Sequence, residues 1–531
     1  MAILNHGDTT AASGTSPAAA AVNVAPPMHS LVQPVLDADE FRRQGRLVVD
    51  FIADYYTRID EYPVRPAVAP GFLARQLPEA APARPEPGGD ALAAALRDVR
   101  DLILPGVTHW QSPRHFAHFA TTGSNVGALG EALAAGLNIN PFTWAASPAA
   151  TELEVVVTDW LGKALHLPER LLFSGGGGGT LLGTSCEAML CTLVAARDRK
   201  LAEIGEERMG DLVVYCSDQT HFSFRKAARI AGIRRGNCRE IPTSRESGFA
   251  LQPRTLLAAV RADEAAGRVP MFLCATVGTT PTAAVDPLRE LCAAVAGRGV
   301  WVHVDAAYAG AACVCPEFRG ATAGAEAVDS FSTNPHKWLL ANMDCCALWV
   351  RRPEALTAAL GTDHDVILKD PSSERGGGVV DYKDWQVALS RRFRALKLWL
   401  VLRCHGVEGL RGLVRADARF EVPVPRQFAL VCFRLRAAAA AAVGEKRGRD
   451  RDNDAEPNEL NRRLLEAVNA TGRAYMSSAV VGGIYVLRCA IGNSLTEERH
   501  VREAWRVVQE QATAVLAAAA CTEERAVRSA R

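Results

Sequence analysis

The stretch STNPHKWLL, residues 332–340, sets Lys337 between a histidine and a run of bulky apolar side chains. A lysine so placed can snorkel from the edge of a buried strand to water. Held instead in a dry pocket, it can attack an aldehyde carbon and form a Schiff base, which requires an electrophilic cofactor nearby. Asp305 offers a second half to that chemistry. It ends the apolar run VWVHVD, and α/β sheets place their ligands beyond the carboxyl ends of their strands. A helix cap is the structural alternative for the same residue.

Further candidates stand in similar places. In SGGGGGTLLGTSCEAML, residues 174–190, glycines run into Thr184, Ser185 and Cys186 at the start of a helical pattern, where free N–H groups and hydroxyls suit a phosphate. The segment matches neither the Gly-Lys-Ser/Thr phosphate loop nor GxGxxG, and a plain flexible loop has the same look. His221 follows the run LVVYCSDQT, and Thr280 follows FLCATVG. Singly these residues say little. Together, a phosphate loop followed by a histidine, a threonine, an aspartate and a lysine at strand ends fits one pocket. Pyridoxal phosphate requires such a set, with the carboxylate paired to its protonated pyridine nitrogen.

These residues need a sheet to hold them. From about residue 120, short β-branched and apolar runs (DLVVYCS, PMFLCATVG, VWVHVDA, CCALWVRR) alternate with helical stretches at 185–205 and 254–267. That alternation predicts an α/β fold with a parallel or mixed sheet covered on both faces. Helices are predicted ahead of it, over 37–60 and in ALAAALRDVRDLILPG. Behind it, FALVCFRL, IYVLRCAIG and terminal helices predict a smaller α+β domain. The expected division is a disordered tail (1–30), a helical N-terminal segment (31–115), a large cofactor-binding domain (116–400) and a small C-terminal domain (401–531).

Composition narrows the class. The chain has 531 residues, 48% hydrophobic and 22% charged, enough for several cores. A net charge of +1 gives no cause to expect nucleic acid or an anionic membrane as partner. No apolar run approaches the ~18 residues of a membrane span. The 14 cysteines lack CxxC pairs and sit mostly in apolar runs, which predicts reduced core thiols, no metal site and a cytoplasmic protein. The first thirty residues contain no arginine and no apolar signal region, so neither a transit nor a signal peptide is expected.

The motifs PFTWAASPAATELE, GTSCEAML, SDQTH, HVDAAYAG, NPHKWLL and RRFRALKLW, in this order, resemble those of the group II pyridoxal-phosphate decarboxylases. Within that group the chain resembles plant aromatic-L-amino-acid decarboxylases over about residues 31–520, tryptophan decarboxylases first and tyrosine/Dopa decarboxylases next. The resemblance implies a fold-type I PLP-dependent transferase-like architecture and a homodimer. It implies decarboxylation of an aromatic L-amino acid, tryptophan to tryptamine ahead of tyrosine or Dopa. Lys337 would be the Schiff-base lysine, Asp305 the partner of the pyridine nitrogen, and His221 the residue stacked on the cofactor ring. Ser185, Cys186, Thr280, Asn334 and His336 would surround the phosphate. Phe119, Thr121, His221 and Ser390 would line the substrate side, joined by Phe142 from across a two-fold interface.

Three departures from the family pattern bear on function. Family decarboxylases return a proton to the substrate Cα from a tyrosine in a mobile loop. Here that segment reads TDHDVILKDPSSERGGG, with Val366 or Ile367 in the place and the nearest tyrosine, Tyr382, in a later DYKDW motif. Neither aliphatic side chain can donate a proton, so an aromatic aldehyde synthase is the rival expectation. Beyond GVEGLRG the chain passes directly to LVRADARFEV, short of the family by about four helical turns, or ~14 residues. A catalytically weak paralogue acting as a subunit partner is the reading this raises. Ser390 stands where indole-preferring relatives often carry glycine, and it suits phenol-preferring ones. A ring-pocket change of that size is worth only ~1–3 kcal/mol.

Overall fold

The computed structural model describes residues 37–84, 90–362, 379–416, 428–435 and 455–529. Seven strands build the central sheet: β1 (Gly178–Leu182), β2 (Leu212–Ser217), β3 (Cys238–Ile241), β4 (Val269–Thr276), β5 (Trp301–Asp305), β6 (Ser330–Thr333) and β7 (Cys346–Val350). Their order is β1-β7-β6-β5-β4-β2-β3. The β2–β3, β2–β4, β4–β5 and β5–β6 pairs are parallel, and β7 runs antiparallel to both β1 and β6. Every residue of β1, β2, β5 and β7 is buried, as unbroken apolar runs require when helices cover both faces. Alternate side chains feed two core layers: Leu273 and Val304 join Val157 and Leu161 on one face, while Phe272 and Val214 join Leu193 and Leu348 on the other.

The glycine run corrects a sequence expectation. Gly178 and Gly179 belong to strand β1, not to a phosphate loop. A Cβ on Gly178 would lie 2.5 Å from Trp385, and one on Gly179 would lie 2.7 Å from Thr158. Glycine is there to let the strand pass close to its neighbours. The expected anion site is left with the turn beyond β1, where Thr184 caps the helix Ser185–Ile204 by accepting Glu187 N–H at 3.4 Å. The Glu187 carboxylate answers by accepting Gly183 N–H at 3.1 Å, close to a capping box.

A second, antiparallel sheet is formed by β8 (Leu430–Phe433), β9 (Ser477–Val481) and β10 (Ile484–Ala490) in the order β8-β10-β9. Leu487 of β10 packs with Leu464 of helix Ala455–Ala470 and Val507 of helix Glu498–Ser529. Phe116 is stitched to this small sheet, donating to Tyr475 O at 2.8 Å and accepting from Ala490 N at 2.9 Å. The helix Arg394–Ala416 continues through Gly412 after a break at Gly406 (φ 62°). The junction after Gly412, where the sequence is expected to fall short of the family, lies within this helix, while residues 417–427 lie outside the described residues, as do Val366 and Ile367.

The described residues divide into two compact units, 37–57 with 78–101 and 58–77 with 102–529. In the first, helices Ala38–Thr57 and Ala91–Asp98 are joined by the Arg43–Asp90 ion pair at 2.6 Å. Asp90 also caps the second helix by accepting Ala93 N–H at 3.0 Å. The second unit contains both sheets. Among the described residues no helix is long and apolar enough to cross a membrane, and the described cysteines are free thiols, most of them buried.

Candidate active site

A cavity of about 390 Å³ opens at the carboxyl edge of the central sheet. Eight of the residues picked out in the sequence line it: Ser185 and Cys186 beyond β1, His221 beyond β2, Thr280 beyond β4, Asp305 closing β5, and Asn334, His336 and Lys337 beyond β6. Parallel strands explain the convergence, because their ends lie side by side although the chain between them is long.

Lys337 sits in the short helix Pro335–Trp338, with its backbone N–H bonded to Asn334 O at 2.8 Å. Burial pulls its ammonium below the ordinary lysine value, and the Asp305 carboxylate opposes that pull without cancelling it. Asp305 is 4% exposed and accepts Ala307 N–H at 3.1 Å. His336 is lowered to about 4, chiefly by burial and then by Lys337. Its Nδ1 accepts Cys345 N–H at 3.0 Å, so the proton of the neutral ring belongs on Nε2. Ser185 donates to Asn334 Oδ1 at 2.8 Å, tying the helix start to the β6 end.

His221 is also held below the ordinary histidine value, first by burial; Asp305 raises it and Lys337 lowers it. Its Nδ1 lies 2.6 Å from Ser223 Oγ and accepts Ser223 N–H at 3.3 Å, which assigns the ring proton to Nε2. The lining residues that sequence reasoning missed include Thr276 and Tyr308. Thr276 is the register partner of Asp305 across β4 and β5, and its buried Oγ1 has no hydrogen-bond partner among the described residues. The available signal was position, since Thr276 closes β4 as Asp305 closes β5.

Four expected substrate-side residues do not line this cavity: Phe119, Thr121, Phe142 and Ser390. Phe119 stacks on Tyr308 with centroids 3.6 Å apart and so stands one ring behind the wall. The Thr121 carbonyl accepts Gln111 Nε2 at 2.6 Å. Ser390 and the Phe142 segment share another patch. There Asn140 donates to Ser390 Oγ at 3.2 Å and accepts Arg391 N–H at 2.9 Å. Arg391 is pinned in turn by a buried ion pair with Glu154 at 2.8 Å. Tyr382 cannot serve as a mobile acid, because it is fully buried and donates to Gly179 O at 3.0 Å.

The residues present fit pyridoxal phosphate. A lysine with lowered proton affinity faces a buried carboxylate, hydroxyls gather at a helix start, and the orphaned Thr276 hydroxyl lacks only a ligand atom. A mixed seven-stranded sheet with this cavity at its carboxyl edge is the architecture of the fold-type I pyridoxal-phosphate enzymes. Residues 70–436 match the pyridoxal-dependent decarboxylase conserved domain, and the chain belongs to that family. It is a carboxy-lyase whose cofactor is pyridoxal phosphate.

Plant proteins are among the relatives. A tyrosine decarboxylase of Oryza sativa subsp. japonica is 70% identical over 91% of this chain and 92% of its own length. A phenylacetaldehyde synthase of a Rosa hybrid cultivar is 54% identical over 91% and 95%. Among solved structures, Oryza sativa TDC with PLP and tryptamine superposes with a TM-score of 0.85 at 45% identity, covering 91% of this chain and 100% of that one. The resemblance to plant aromatic-L-amino-acid decarboxylases therefore holds. Identity is higher to that tyrosine decarboxylase than to the protein solved with tryptamine, so the expected preference for tryptophan gains no support.

Proposed function

We propose that the chain decarboxylates a phenolic L-amino acid, tyrosine or Dopa, as a homodimer, with Lys337, Asp305 and His221 at the reacting centre. The observation that carries this reading is the convergence of Lys337, Asp305 and Thr276 on one cavity from three neighbouring strand ends. Pyridoxal phosphate, when bound, supplies the electron sink that lets the bond to the carboxylate break. Lys337, eased toward its neutral form by burial, is the nucleophile toward the cofactor aldehyde. Asp305 gives the ring nitrogen an acceptor, and the Thr276 hydroxyl gains the partner it lacks in the protein. Ser185, Cys186, Thr280 and Asn334 would hold the phosphate, with His336 available to donate from Nε2. His221 packs against the ring and presents its own Nε2–H.

Substrate and assembly rest on separate supports. The 70% identity to a tyrosine decarboxylase and the presence of Ser390 favour a phenol over an indole. Phe142 and Ser390 lie outside their own chain's cavity, which suits residues that serve a partner's. Leu129, Leu133 and Leu137 stand exposed along one side of helix Asn125–Leu137, apolar area that an interface between subunits would cover.

A second reading, aldehyde formation, is favoured by His221. With its ring neutral and Nδ1 engaged by Ser223, it is a feeble acid. Val366 and Ile367 offer no proton either, and a positioned general acid contributes ~10²–10⁴-fold. Slow return of a proton to Cα leaves time for oxygen, so that amino acid, O₂ and water give aldehyde, CO₂, ammonia and hydrogen peroxide. The test is the purified protein with tyrosine, Dopa, phenylalanine and tryptophan, with amine, aldehyde and peroxide measured together. Tyrosine or Dopa should show the highest kcat/KM; tryptophan in that place sinks the phenolic assignment. Release of CO₂ from none of the four would leave the subunit-partner reading standing instead. Val366→Tyr should raise the amine share, with Ile367→Tyr as the register control. Amine alone from the unaltered protein, without peroxide, ends the aldehyde reading.

A further inference from the structure

The opposite edge of the central sheet has a cavity of its own, about 520 Å³, beside the amino ends of β5 and β6. Arg199 reaches it from helix Ser185–Ile204, Arg289 from helix Leu288–Val295, and Arg352 from just beyond β7. The acids around it are already engaged. Glu203 pairs with Lys200 at 2.8 Å and Glu326 with Arg289 at 3.2 Å. Asp329 accepts Val302 N–H at 2.9 Å and meets Arg352 only at 3.5 Å. Arg199 has no carboxylate partner among the described residues. It donates to Gly299 O at 3.3 Å and lies 5.0 Å over the Trp301 ring, while its Nε is buried with no hydrogen-bond partner. The nearby Arg170 Nε is orphaned in the same way.

These cations press on one another. Burial and then Arg352 weaken the hold of Arg199 on its proton, with Asp329 and Glu203 opposing without cancelling them, and burial and then Arg351 do so at Arg170 against Asp329 and Glu326. A guanidinium cannot relieve that pressure by losing its proton, so a bound anion is what satisfies it. One unpaired and one weakly paired guanidinium match a dianion, and paired N–H donors match phosphate oxygens. The remaining wall is apolar, formed by Val295, Ala296 and Val300. The volume lies within the ~300–1,000 Å³ of small-molecule sites and is too large for phosphate alone.

We propose that this cavity binds a small phosphate ester, with the phosphate between Arg199 and Arg352 and the organic part against Val295 and Val300. It is separate from the phosphate cradle of the cofactor cavity. Helix Ser185–Ile204 starts at that cradle and carries Arg199 ~20 Å further along, at 1.5 Å per residue. The site stands whether the substrate proves to be a phenol or an indole.

The holoenzyme with saturating cofactor can be titrated calorimetrically with glycerol 3-phosphate and, separately, with inorganic phosphate, while the cofactor absorbance is followed. The ester should bind saturably, one per chain, at least threefold tighter than inorganic phosphate and with the absorbance unchanged. Arg199→Leu should weaken it at least tenfold, with circular dichroism confirming the fold. Arg352→Gln, nearer the surface, should weaken it severalfold and serves as the second variant if Arg199→Leu fails to fold. Lack of saturable binding, or unchanged affinity in a folded variant, overturns the site. Equal affinity for inorganic phosphate overturns the ester assignment, and a change in cofactor absorbance would place the ligand in the wrong cavity.

Discussion

Strand β5 joins two cavities of different character. At its carboxyl end Asp305 shares a pocket with Lys337, His221 and His336; at its amino end Trp301 lies beneath Arg199, which has no carboxylate partner among the described residues, beside Arg289 and Arg352, which pair with Glu326 and Asp329. Burial is the leading influence on Lys337, on both histidines and on Arg199. Its consequence depends on the side chain. Lysine and histidine answer burial with a weaker hold on their proton, which is what the proposed nucleophile and neutral donors need. Arginine keeps its charge, so the same physical pressure makes a binding site instead of a reactive one.

The sharpest way to break this contrast is to exchange the two kinds of cation. Lys337→Arg keeps a positive charge but not a group that can become neutral, and it should be as inactive as Lys337→Ala. In both, the visible absorbance of the purified protein should vanish on dialysis, and borohydride should fix no pyridoxyl group to the chain. A pyridoxyl adduct on another lysine would remove Lys337 from its role. Asp305→Ala comes next. It should lower kcat by ~10²–10³ at saturating cofactor, the usual cost of losing one preorganised electrostatic partner. Near-normal turnover would show that the ring nitrogen needs no carboxylate here.

Asp286 tests the scaffold beneath the reactive end. It accepts Leu251 N–H and Thr276 N–H at 2.8 Å each, and burial raises it to about 6 against those two bonds. Its folded value lies above the unfolded value of ~4. Between about pH 4 and 6 the folded chain therefore keeps a proton that the unfolded chain has released. Stability from this group falls as pH rises through that window and is level above it, a change of roughly 3 kcal/mol. In thermal midpoints taken from pH 4.5 to 7, the parent should lose ground to Asp286→Asn up to about pH 6 and then run parallel. A difference that does not vary with pH would mean that Asp286 is ionised throughout. The smallest effect is expected at Thr276→Val, about fivefold in cofactor Kd for one hydrogen bond of ~1 kcal/mol. The cofactor-free protein should keep its melting temperature, because that hydroxyl has no hydrogen-bond partner among the described residues. A lower melting temperature without cofactor would give Thr276 a structural role instead.

Much of the reactive end was legible because its residues punctuate apolar runs. Asp305 ends one buried strand, Lys337 follows another, and both types are conspicuous at such a boundary. Thr276 was not legible, since the segment CATVGTTPT contains four threonines of the same chemistry. Surroundings separate them: Thr279 Oγ1 accepts Ala284 N–H at 3.0 Å and lies 3.2 Å from Thr282 Oγ1, whereas Thr276 Oγ1 has no partner. Strand β1 was hidden because glycine carries no side chain to alternate. Its five register pairs with β7 make it a strand, and β7 lies more than 160 residues further on.

The sequence by itself determined the class of chemistry and the order of elements, because residue types and periodicity are local properties. A nucleophilic lysine, a strand-end carboxylate and alternating buried runs can be recognised without knowing what lies beside them. Only the tertiary structure decided which hydroxyl is left unpaired, that His221 and His336 are held neutral with the proton on Nε2, and that Ser390 and Asn140, 250 residues apart, meet away from the cavity. It also decided that arginines from three separate segments crowd the far edge of the sheet. Each of these depends on solvent exclusion and on neighbours brought from distant parts of the chain, and both come into being only when the strands pack.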